Sequence, residues 1–345
     1  MAGSTAATPA VLERARRLVE PSLVAAADRL CDELRLLVHY HFGWVEADGS
    51  LSTAGSGKGL RPALAVLSAE AVGADASTAI PGAVAVQLVH DFSLVHDDII
   101  DGDLERRHRP TVWAAFGVDD AVITGDALHN LAFQVLLEVP DAAPTEERVR
   151  ATTRLVAATM TMIAGQAADM AFDDLPEVDL AACLAMEADK TGALLGYSAS
   201  VGAVLAGAPD DQVDALEAFG WELGLAFQAV DDLLGIWGDP AVTGKATGND
   251  LRERKKSMPV AMVLSAGSAA ADELRAIYDV DGDLTDDHVV RATSIIETAG
   301  GRDGTVAEAR RRLDAALAAL DDVGLAAGAV EELTGLARFV AERDF

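Results

Sequence analysis

The run AVAVQLVHDFSLVHDDIID, residues 83–101, is an apolar stretch that ends in a cluster of aspartates. A second run, LGLAFQAVDD at residues 223–232, repeats this pattern and ends in a pair of aspartates. The nearly unbroken apolar character of both runs predicts helices that are buried on all sides. If the two helices face each other, their aspartates line a cavity that can hold a metal cluster.

The aspartates of the first run have the spacing of metal ligands. Asp97 and Asp101 are four residues apart, so on a helix they share one face, whereas Asp98 points elsewhere. Mg²⁺ prefers carboxylate oxygens and often shares its coordination shell with substrate phosphates. An exposed acidic helix end is the alternative, but the apolar run before the aspartates indicates that they emerge from the core. We therefore predict a Mg²⁺ site here.

Basic residues concentrate at three places in a chain whose net charge is −29. Ten of the 27 Lys and Arg residues fall within residues 58–61, 106–109 and 245–256, and two of these windows follow an acidic cluster. One such window could be an ordinary solvated helix face. Three windows, two of them directly after acidic clusters, are harder to explain in that way. Carboxylates that hold hard cations, beside basic groups that bind phosphate oxygens, suit a diphosphate substrate. The remaining acidic surface should repel nucleic acid.

Composition favours an all-α protein. Half of the residues are hydrophobic and only 5% are aromatic, which favours helices packed through small side chains. Cys31 and Cys183 are too few for a disulfide framework, and residues 1–10 lack the features of a secretory signal, so we expect a cytoplasmic location. The uncharged stretch Thr191–Pro209 is rich in Ala, Gly and Ser, so we predict a buried helix there and no transmembrane segment.

Apolar spacing predicts helices nearly throughout a single domain over residues 1–345. No alternating run is long enough to suggest a strand. Irregular segments are predicted at residues 43–57, 140–144, 172–177 and 238–248, where Gly, Pro and acidic residues cluster. The predicted helices span residues 10–40, 60–72, 78–103, 110–116, 120–138, 146–170, 178–206, 210–236, 256–267, 269–278, 286–299, 304–321 and 326–343.

Five motifs occur in order across about residues 55–260, and together they resemble those of the trans-polyprenyl diphosphate synthases. They are GKGLRP at 57–62, the run 97–101 with Arg106-Arg107, Lys190-Thr191, FQAVDD at 227–232, and Gly244-Lys245 with Asn249-Asp250 and Lys255. The resemblance implies the isoprenoid synthase fold, a large all-α bundle around a central cavity. It also implies a homodimer that joins isopentenyl diphosphate head to tail to a C5–C15 allylic diphosphate, with three Mg²⁺ ions per active site.

The resemblance assigns a role to each motif residue by position. The metal ligands are expected to be Asp97, Asp101 and Asp231, supported by Asp98 and Asp232. The allylic diphosphate is expected to contact Arg106, Lys190, Lys245 and Lys255. Isopentenyl diphosphate is expected to contact Lys58, Arg61, His90 and Arg107. Thr191 and Gln228 resemble residues that face the developing allylic cation, and Gln166 and Asp169 match a motif that lines the cavity.

His90 has a second interpretation, because a lone histidine in an apolar helix is usually a hydrogen-bonded core residue. It precedes Asp97 by seven residues, however, which places it two turns away on the same side of the helix. That position favours a functional role.

One position departs from the family pattern. The second motif usually carries a third aspartate four residues after the first, and here that position is Gly235. One ligand for a metal or a water is therefore missing or replaced. We expect activity to survive because Asp231 and the lysines are retained, with weaker metal binding as the cost.

The helix before Asp97 also suggests the length of the product, because in this family it lines the tube that receives the growing chain. Phe92 is the expected floor of the tube, Ser93 is too small to block it, and Val89 lies one turn deeper. An aromatic residue beside a small neighbour resembles synthases that make C20 products, with C15 as the alternative.

Two other functions remain open at this point. A class I terpene cyclase of the same fold would ionise an allylic diphosphate and cyclise it, but it has no need for the isopentenyl diphosphate residues. A catalytically silent subunit that binds prenyl diphosphates would usually lose aspartates of the first motif, which are intact here.

Overall fold

The computed structural model describes residues 9–52, 59–138, 145–173, 175, 177–239 and 247–341. Most of these residues are helical, as the sequence predicts. The first half contains α1 (Ala10–Ala27), α2 (Asp32–His41), α3 (Leu60–Ala71), α4 (Ile80–Ile100), α5 (Val112–Phe116), α6 (Val118–Leu137) and α7 (Glu146–Asp173). The second half contains α8 (Leu180–Glu187), α9 (Ala193–Leu205), α10 (Asp210–Trp237), α11 (Asn249–Arg252), α12 (Met258–Leu264), α13 (Ala269–Tyr278), α14 (Asp286–Thr298), α15 (Gly301–Ala319) and α16 (Ala327–Ala341).

The structure corrects the predicted elements in three places. The single helix predicted over 10–40 is wrong, because the chain turns at residues 28–31 between α1 and α2. The four-residue helix α11 was not predicted. A two-stranded antiparallel hairpin, β1 (Glu105–Arg106) with β2 (Arg109–Pro110), was also missed, since two-residue strands are too short to show an alternating pattern.

A central helix, α9, organises the core. Every residue from Thr191 to Val204 is buried, which confirms the prediction for this uncharged stretch. α9 packs against α3, α4, α7 and α10, and its small residues allow close approach. At the crossing with α3, the Ser68 hydroxyl accepts a hydrogen bond from the Gly202 N–H at 2.9 Å and donates one to the Ala65 carbonyl at 2.8 Å.

The main hydrophobic cluster joins α1 to α7 with α9, the first part of α10, α15 and α16. A second cluster joins the end of α10 to α11–α14, and a third connects α8, α10 and α12. The last helices therefore continue the packing around α10. That the chain forms a single domain stays a prediction.

Two segments are long and apolar enough to cross a membrane by length and composition alone. They span Ala76–Ile100 and Glu146–Phe172, and 56% and 22% of their most apolar windows are buried in the protein. The first lies mostly within the core as α4. The second, α7, leaves much of its apolar surface exposed. The absence of a membrane segment stays a prediction.

The Gly202 crossing gives a stability test. A Cβ atom at Gly202 would overlap the Ala65 carbonyl oxygen and lie 2.6 Å from both the Ala69 nitrogen and the Ser68 Oγ. We expect Gly202→Ala to lower the free energy of unfolding by about 2 kcal/mol, because this overpacking outweighs the gain in helix propensity. Urea denaturation of the purified variant measures the change.

Gly335 in α16 provides the control, since it is exposed and a Cβ there would meet no atom within 4 Å. Gly335→Ala should raise the free energy of unfolding by about 1 kcal/mol through helix propensity alone. Equal effects of the two substitutions would show that the α3–α9 crossing tolerates a wider separation.

Candidate active site

The first carboxylate group lies at the end of α4, where the core opens toward solvent. Asp97 is half-buried and Asp101 is exposed, one turn further on. Burial raises the pKa of Asp97 to about 6, with Asp101 also raising it, while Lys190 and Arg106 act in the opposite direction. Partial burial of the carboxylate likewise raises the pKa of Asp101, while the positive charges of Lys255 and Lys190 act to lower it. Asp97 and Asp101 therefore lie close together, and the neighbouring basic groups offset only part of the cost of burying them.

Asp98 has a different environment from its neighbours. Its side chain is buried, and its Oδ1 accepts a hydrogen bond from Arg106 Nε at 2.7 Å. The pair links α4 to the β1 strand of the hairpin. Asp98 thus positions Arg106, one of the predicted diphosphate contacts, and its own role as a metal ligand stays a prediction.

A π-helical turn at residues 188–192, between α8 and α9, presents Lys190 to the first carboxylate group. Lys190 Nζ lies 2.5 Å from Asp169 Oδ2 on α7. The turn lies against α7 because residue 165 is glycine: a Cβ there would overlap the Lys190 backbone nitrogen. Single π turns inside helices are frequent at functional sites. Here the turn fixes the lysine that the sequence assigns to the allylic diphosphate.

The second carboxylate group lies near the end of α10, where a chain of hydrogen bonds orients it. Thr191 Oγ1 donates to Gln228 Oε1 at 3.0 Å, and Gln228 Nε2 donates to Asp232 Oδ1 at 2.9 Å. The Asp232 Oδ2 accepts the Met258 N–H at 2.7 Å. The buried Asp232, with Gln228, therefore ties the π turn, α10 and α12 together. It supports its neighbour Asp231, and its predicted role as a metal ligand stays a prediction.

A buried acid lies behind Asp232 and was missed by the sequence reasoning. Glu187 is 2% exposed, and burial together with Asp232 raises its pKa well above the usual range. Glu187 and Asp232 share a hydrogen bond, and the Cys183 thiol donates to Glu187 at 3.3 Å. Burial raises the pKa of Asp232 as well, and the hydrogen bonds from Met258, Gln228 and Glu187 act to lower it. An isolated Glu in an apolar helix gives no sign of this pairing in the sequence.

The basic side of the site lies along α3, α4 and the hairpin. Burial lowers the pKa of Arg61 to about 10, although the negative charges of Asp91 and Asp231 act to raise it. Burial, and then the charge of Arg61, lowers the pKa of His90 well below its usual value, so the ring is neutral. The positive charge of Arg107 also lowers the pKa of His90, so Arg107 lies near this ring. The structure thus brings together three of the four residues predicted to bind isopentenyl diphosphate.

Asp91 and His41 complete this basic side and were not predicted. Asp91 is fully buried, and its Oδ1 lies 2.9 Å from His41 Nε2 on α2. Gln87 donates to the other oxygen. Burial works to raise the pKa of Asp91, but the hydrogen bond with His41 and the nearby positive charges lower it to about 2. Asp91 therefore balances the buried cations.

A pocket opens beside this cluster, between the end of α2 and the hairpin. Its lining residues are Tyr40, His41, Phe42, Gly43, Asp98, Arg106, Arg107, Arg109, Pro110, Thr111 and Val112. Arg107 and His108 form the hairpin turn with φ values of 54° and 60°, a conformation that side chains adopt at a cost. Such strain is typical of functional loops. The turn holds Arg107 at the rim of a pocket that carries three arginines.

An aromatic cluster lines the part of α4 that precedes the aspartates. The Phe92 ring lies 4.8 Å from the His129 ring on α6, and His129 lies 5.0 Å from Phe133. The Ser93 hydroxyl turns back to the His90 carbonyl at 2.8 Å, and Val89 is fully buried. Phe92 thus has aromatic support from α6 that the sequence reasoning did not identify.

Two predicted site residues, Lys58 and Lys245, lie outside the described residues. Gln166 lies on α7 beside Gly165, and its buried Oε1 has no hydrogen-bond partner within the described parts of the chain. Lys255 is exposed and carries an ion pair with Glu253 at 3.0 Å.

The carboxylates at the end of α4 fit a Mg²⁺ ion that is only partly coordinated by the protein. No three metal-binding side chains converge on one point within the part of the chain that the structure describes. Mg²⁺ suits such a site, because it is commonly bound by one or two carboxylates plus substrate phosphates and waters. The shared charge imbalance of Asp97 and Asp101 also fits an added cation.

With this geometry established, comparison with known proteins identifies the class. The chain matches the Polyprenyl synthetase family model over residues 44–296. It is 46% identical over 342 residues to (2E,6E)-farnesyl diphosphate synthase of Mycobacterium tuberculosis H37Rv, covering 98% of this chain and 94% of that protein. It is also 46% identical to geranylgeranyl diphosphate synthase of the same strain, over 91% and 89% of the two chains.

Solved structures agree. Polyprenyl synthetase from Streptomyces coelicolor A3(2) superposes with a TM-score of 0.90 at 49% identity, covering 96% of this chain and 98% of that one. Geranylgeranyl pyrophosphate synthase from Corynebacterium glutamicum, solved with isoprenyl diphosphate and magnesium, gives 0.77 at 26% identity over 97% and 98%.

The chain therefore belongs to the polyprenyl synthetase family and has the isoprenoid synthase fold. Within that family it is a short-chain trans-prenyl diphosphate synthase, a prenyltransferase of the farnesyl and geranylgeranyl diphosphate synthase type. The family is magnesium-dependent. The fold and the class of reaction that the resemblance implies are thus confirmed.

The buried Asp91–His41 pair gives a second prediction. Asp91→Asn keeps the shape of the side chain but removes the charge that balances the cations around it. Breaking a buried ion pair is strongly destabilising, so we expect the free energy of unfolding to fall by about 3 kcal/mol. We also expect a higher KM for isopentenyl diphosphate, because Arg61 and His90 lose the neighbouring negative charge that acts on both.

The control is the Asp28–His39 pair, which has a similar separation of 3.1 Å but a 52% exposed aspartate. Asp28→Asn should change stability by less than about 1 kcal/mol. Denaturant unfolding and steady-state kinetics measure both variants. An Asp91→Asn effect no larger than that of Asp28→Asn would contradict the balancing role.

Proposed function

We propose that this protein extends an allylic diphosphate with isopentenyl diphosphate to a C20 product, with C15 as the alternative. The observation that carries the proposal is the electrostatic arrangement around the cavity. Carboxylates at the ends of α4 and α10 face basic groups at two places, Lys190 with Lys255 and Arg61 with Arg107. Two diphosphate sites are what an elongating enzyme needs and a cyclase does not.

We propose three Mg²⁺ ions per active site, held by Asp97, Asp101 and Asp231. When bound, they would neutralise the negative charge that develops on the departing diphosphate. Arg106 and Lys190 would bind the same diphosphate, together with Lys245. Arg61, His90 and Arg107 would hold isopentenyl diphosphate with Lys58, and a neutral His90 could donate or accept a hydrogen bond there.

The hydrogen bond between Thr191 and Gln228 suits the allylic cation. Gln228 uses its amide nitrogen on Asp232, so its carbonyl oxygen, with the Thr191 hydroxyl, remains oriented at the junction of α9 and α10. Oxygen atoms fixed in this way stabilise positive charge without reorganising. The apolar surroundings would exclude water from the cation.

Product analysis tests the proposed function. Purified protein is incubated with Mg²⁺, isopentenyl diphosphate and a C5, C10 or C15 allylic diphosphate, and the dephosphorylated products are separated by chromatography. We expect a linear C20 or C15 alcohol. Asp97→Ala should reduce kcat by about 10²–10³, because it removes electrostatic stabilisation of the leaving group.

Asp314→Ala is the control, since Asp314 is an exposed acid on α15 away from the site, and it should leave kcat unchanged. A cyclic hydrocarbon formed without isopentenyl diphosphate would instead identify a terpene cyclase. Diphosphate binding without turnover would identify a silent subunit.

The length of the product depends on Phe92. Because the ring closes the tube with support from His129, Phe92→Ala should shift the main product at least one isoprene unit beyond that of the wild type. Val86→Ala is the control, because Val86 is fully buried on the same helix but lies on a different face from Phe92, so its products should be unchanged. Unchanged products from Phe92→Ala would place the floor of the tube elsewhere.

We also propose a homodimer, with α6 and α7 as the interface. Large apolar side chains are exposed along one side of α7 at Val149, Val156, Met160 and Ile163, spaced by seven, four and three residues. Val122 and Ile123 extend this α6–α7 face. Such spacing forms one helical stripe, which suits packing against the same stripe of a second copy.

Light scattering after size exclusion tests the dimer. Met160 is 61% exposed at the centre of the α6–α7 face, so Met160→Asp should convert dimer to monomer by placing charges in an apolar interface. Val290→Asp is matched to it, because Val290 is 69% exposed but lies on α14, and this variant should stay dimeric. A dimeric Met160→Asp variant would rule out this face.

A cytoplasmic location is proposed as well. Cys31 is exposed and Cys183 is buried, and both are free thiols. Free thiols are typical of reducing compartments such as the cytoplasm. A magnesium-dependent enzyme would meet its substrates in solution there. The strongly acidic surface also supports the expectation that nucleic acid is not a partner.

A further inference from the structure

The hairpin that carries Arg106 and Arg107 is held by two different helices. Its first strand, β1, is tied to α4 by the hydrogen bond from Arg106 to Asp98. Its second strand, β2, is tied to α2 through Arg109 and Pro110. Arg107 begins the turn that joins the two strands. The position of Arg107 therefore depends on both supports.

Arg109 is the centre of the support from α2. Its guanidinium donates to the Tyr40 carbonyl at 3.1 Å and to the Val45 carbonyl at 2.8 Å, and it pairs with Glu46 at 3.3 Å. The Tyr40 carbonyl lies in the last turn of α2, where a cation interacts favourably with the helix dipole. Arg109 thus joins β2 to both the end of α2 and the loop that follows it.

Tyr40 makes the reciprocal contact. Its hydroxyl donates to the Pro110 carbonyl at 2.8 Å, and Arg109 Cζ lies 4.4 Å from the centroid of its ring. The Phe116 ring packs edge-on against the same ring at 5.0 Å. Tyr40 is 5% exposed, and cation–π contacts are strongest where water is excluded. We call this reciprocal pair, Tyr40 with Arg109, the hairpin clamp.

The hairpin clamp lies beside the residues predicted to bind isopentenyl diphosphate. Arg107 is exposed, and its positive charge acts on both His90 and Asp91 of α4. His41, the residue after Tyr40, lies 2.9 Å from the Asp91 carboxylate. Two adjacent residues at the end of α2 therefore brace the two elements that carry His90 and Arg107.

We infer that Tyr40 and Arg109 are positioning residues that act through Arg107 on isopentenyl diphosphate, an inference that rests on the proposed function. The turn residues Arg107 and His108 have φ values of 54° and 60°, a conformation that persists only where the surroundings hold it. Arg106 has its own support in α4, so the allylic diphosphate should depend less on the hairpin clamp. A pair that served stability alone would affect both substrates equally.

Calorimetric titration of each diphosphate without its co-substrate tests the inference, because no condensation can then occur. Tyr40→Leu changes no charge, and it should weaken the binding of isopentenyl diphosphate by about tenfold, since a displaced Arg107 loses a charge-assisted hydrogen bond. Arg109→Lys keeps the charge but loses the planar fork, so it should have a similar effect. Binding of an allylic diphosphate with Mg²⁺ should change by less than about twofold, as expected for independent sites.

A double variant tests whether the hairpin clamp acts through Arg107. Arg107→Gln should itself weaken the binding of isopentenyl diphosphate. In that background Tyr40→Leu should cost less than about twofold more, because residues that act through one contact are not additive. A full further tenfold loss would show that Tyr40 acts by another route, and it would overturn the inference.

Arg35→Gln is the control, since Arg35 lies on α2 and pairs with Asp32 of the same helix. It removes one positive charge and should leave the binding of both substrates unchanged. Tyr40→Phe keeps the ring and removes only the hydroxyl, so it provides the test if Tyr40→Leu does not fold. It should weaken the binding of isopentenyl diphosphate alone by about threefold, the value of one hydrogen bond. Equal losses for both substrates, or no loss, would overturn the inference.

The outcome is separable from that of the proposed function. A wild type that makes no elongated product, but whose binding of isopentenyl diphosphate depends on the hairpin clamp, would refute the elongation reaction and support the inference. Normal elongation with binding that is indifferent to Tyr40 and Arg109 would do the reverse.

Discussion

The cost of burying carboxylates at the end of the apolar helix α4 is the constraint on which the site depends. Burial raises the pKa of both Asp97 and Asp101, so the protein must hold cations close to them. Lys190, fixed by the π turn, acts on both aspartates, and Lys255 acts on Asp101. An acidic chain thus places basic residues beside these carboxylates, where the proposed function puts Mg²⁺ and a diphosphate.

The same constraint explains the difference between neighbouring aspartates. Asp98 and Asp232 each follow a predicted metal ligand by one residue, which turns them about 100° around the helix. There they are satisfied by Arg106 and by Gln228 with Met258. The paired aspartates of each motif therefore differ in environment: Asp97 and Asp231 are half-buried, whereas Asp98 and Asp232 are buried and hydrogen-bonded to neighbouring elements.

The helices could be predicted because their signals are local. Apolar runs and breaks located them, and the ordered motifs selected residues that the structure brings near each other, such as Asp97 with Lys190 and His90 with Arg61. The roles of these residues stay predictions. The hairpin, the π turn and the Asp91–His41 pair could not be predicted for the opposite reason. Two-residue strands have no period, a π turn depends on Gly165 of another helix, and Asp91 meets His41 across 50 residues of sequence. Contacts made between elements leave no pattern within either element.

The hairpin shows how such contacts give a motif its geometry. Arg106 and Arg107 are neighbours in the sequence, and the resemblance assigns them to two different diphosphates. In three dimensions they also have different supports, since Arg106 is held by Asp98 of α4, whereas the strand after the turn is held by Tyr40 of α2 through Arg109. A motif records which residues are adjacent in sequence, but a guanidinium can bind a phosphate only where its backbone is held at the right distance. The helix α2 carries none of the five motifs, yet its last turn braces the hairpin. The residues that set the geometry of a site must therefore be sought outside its motifs as well as within them.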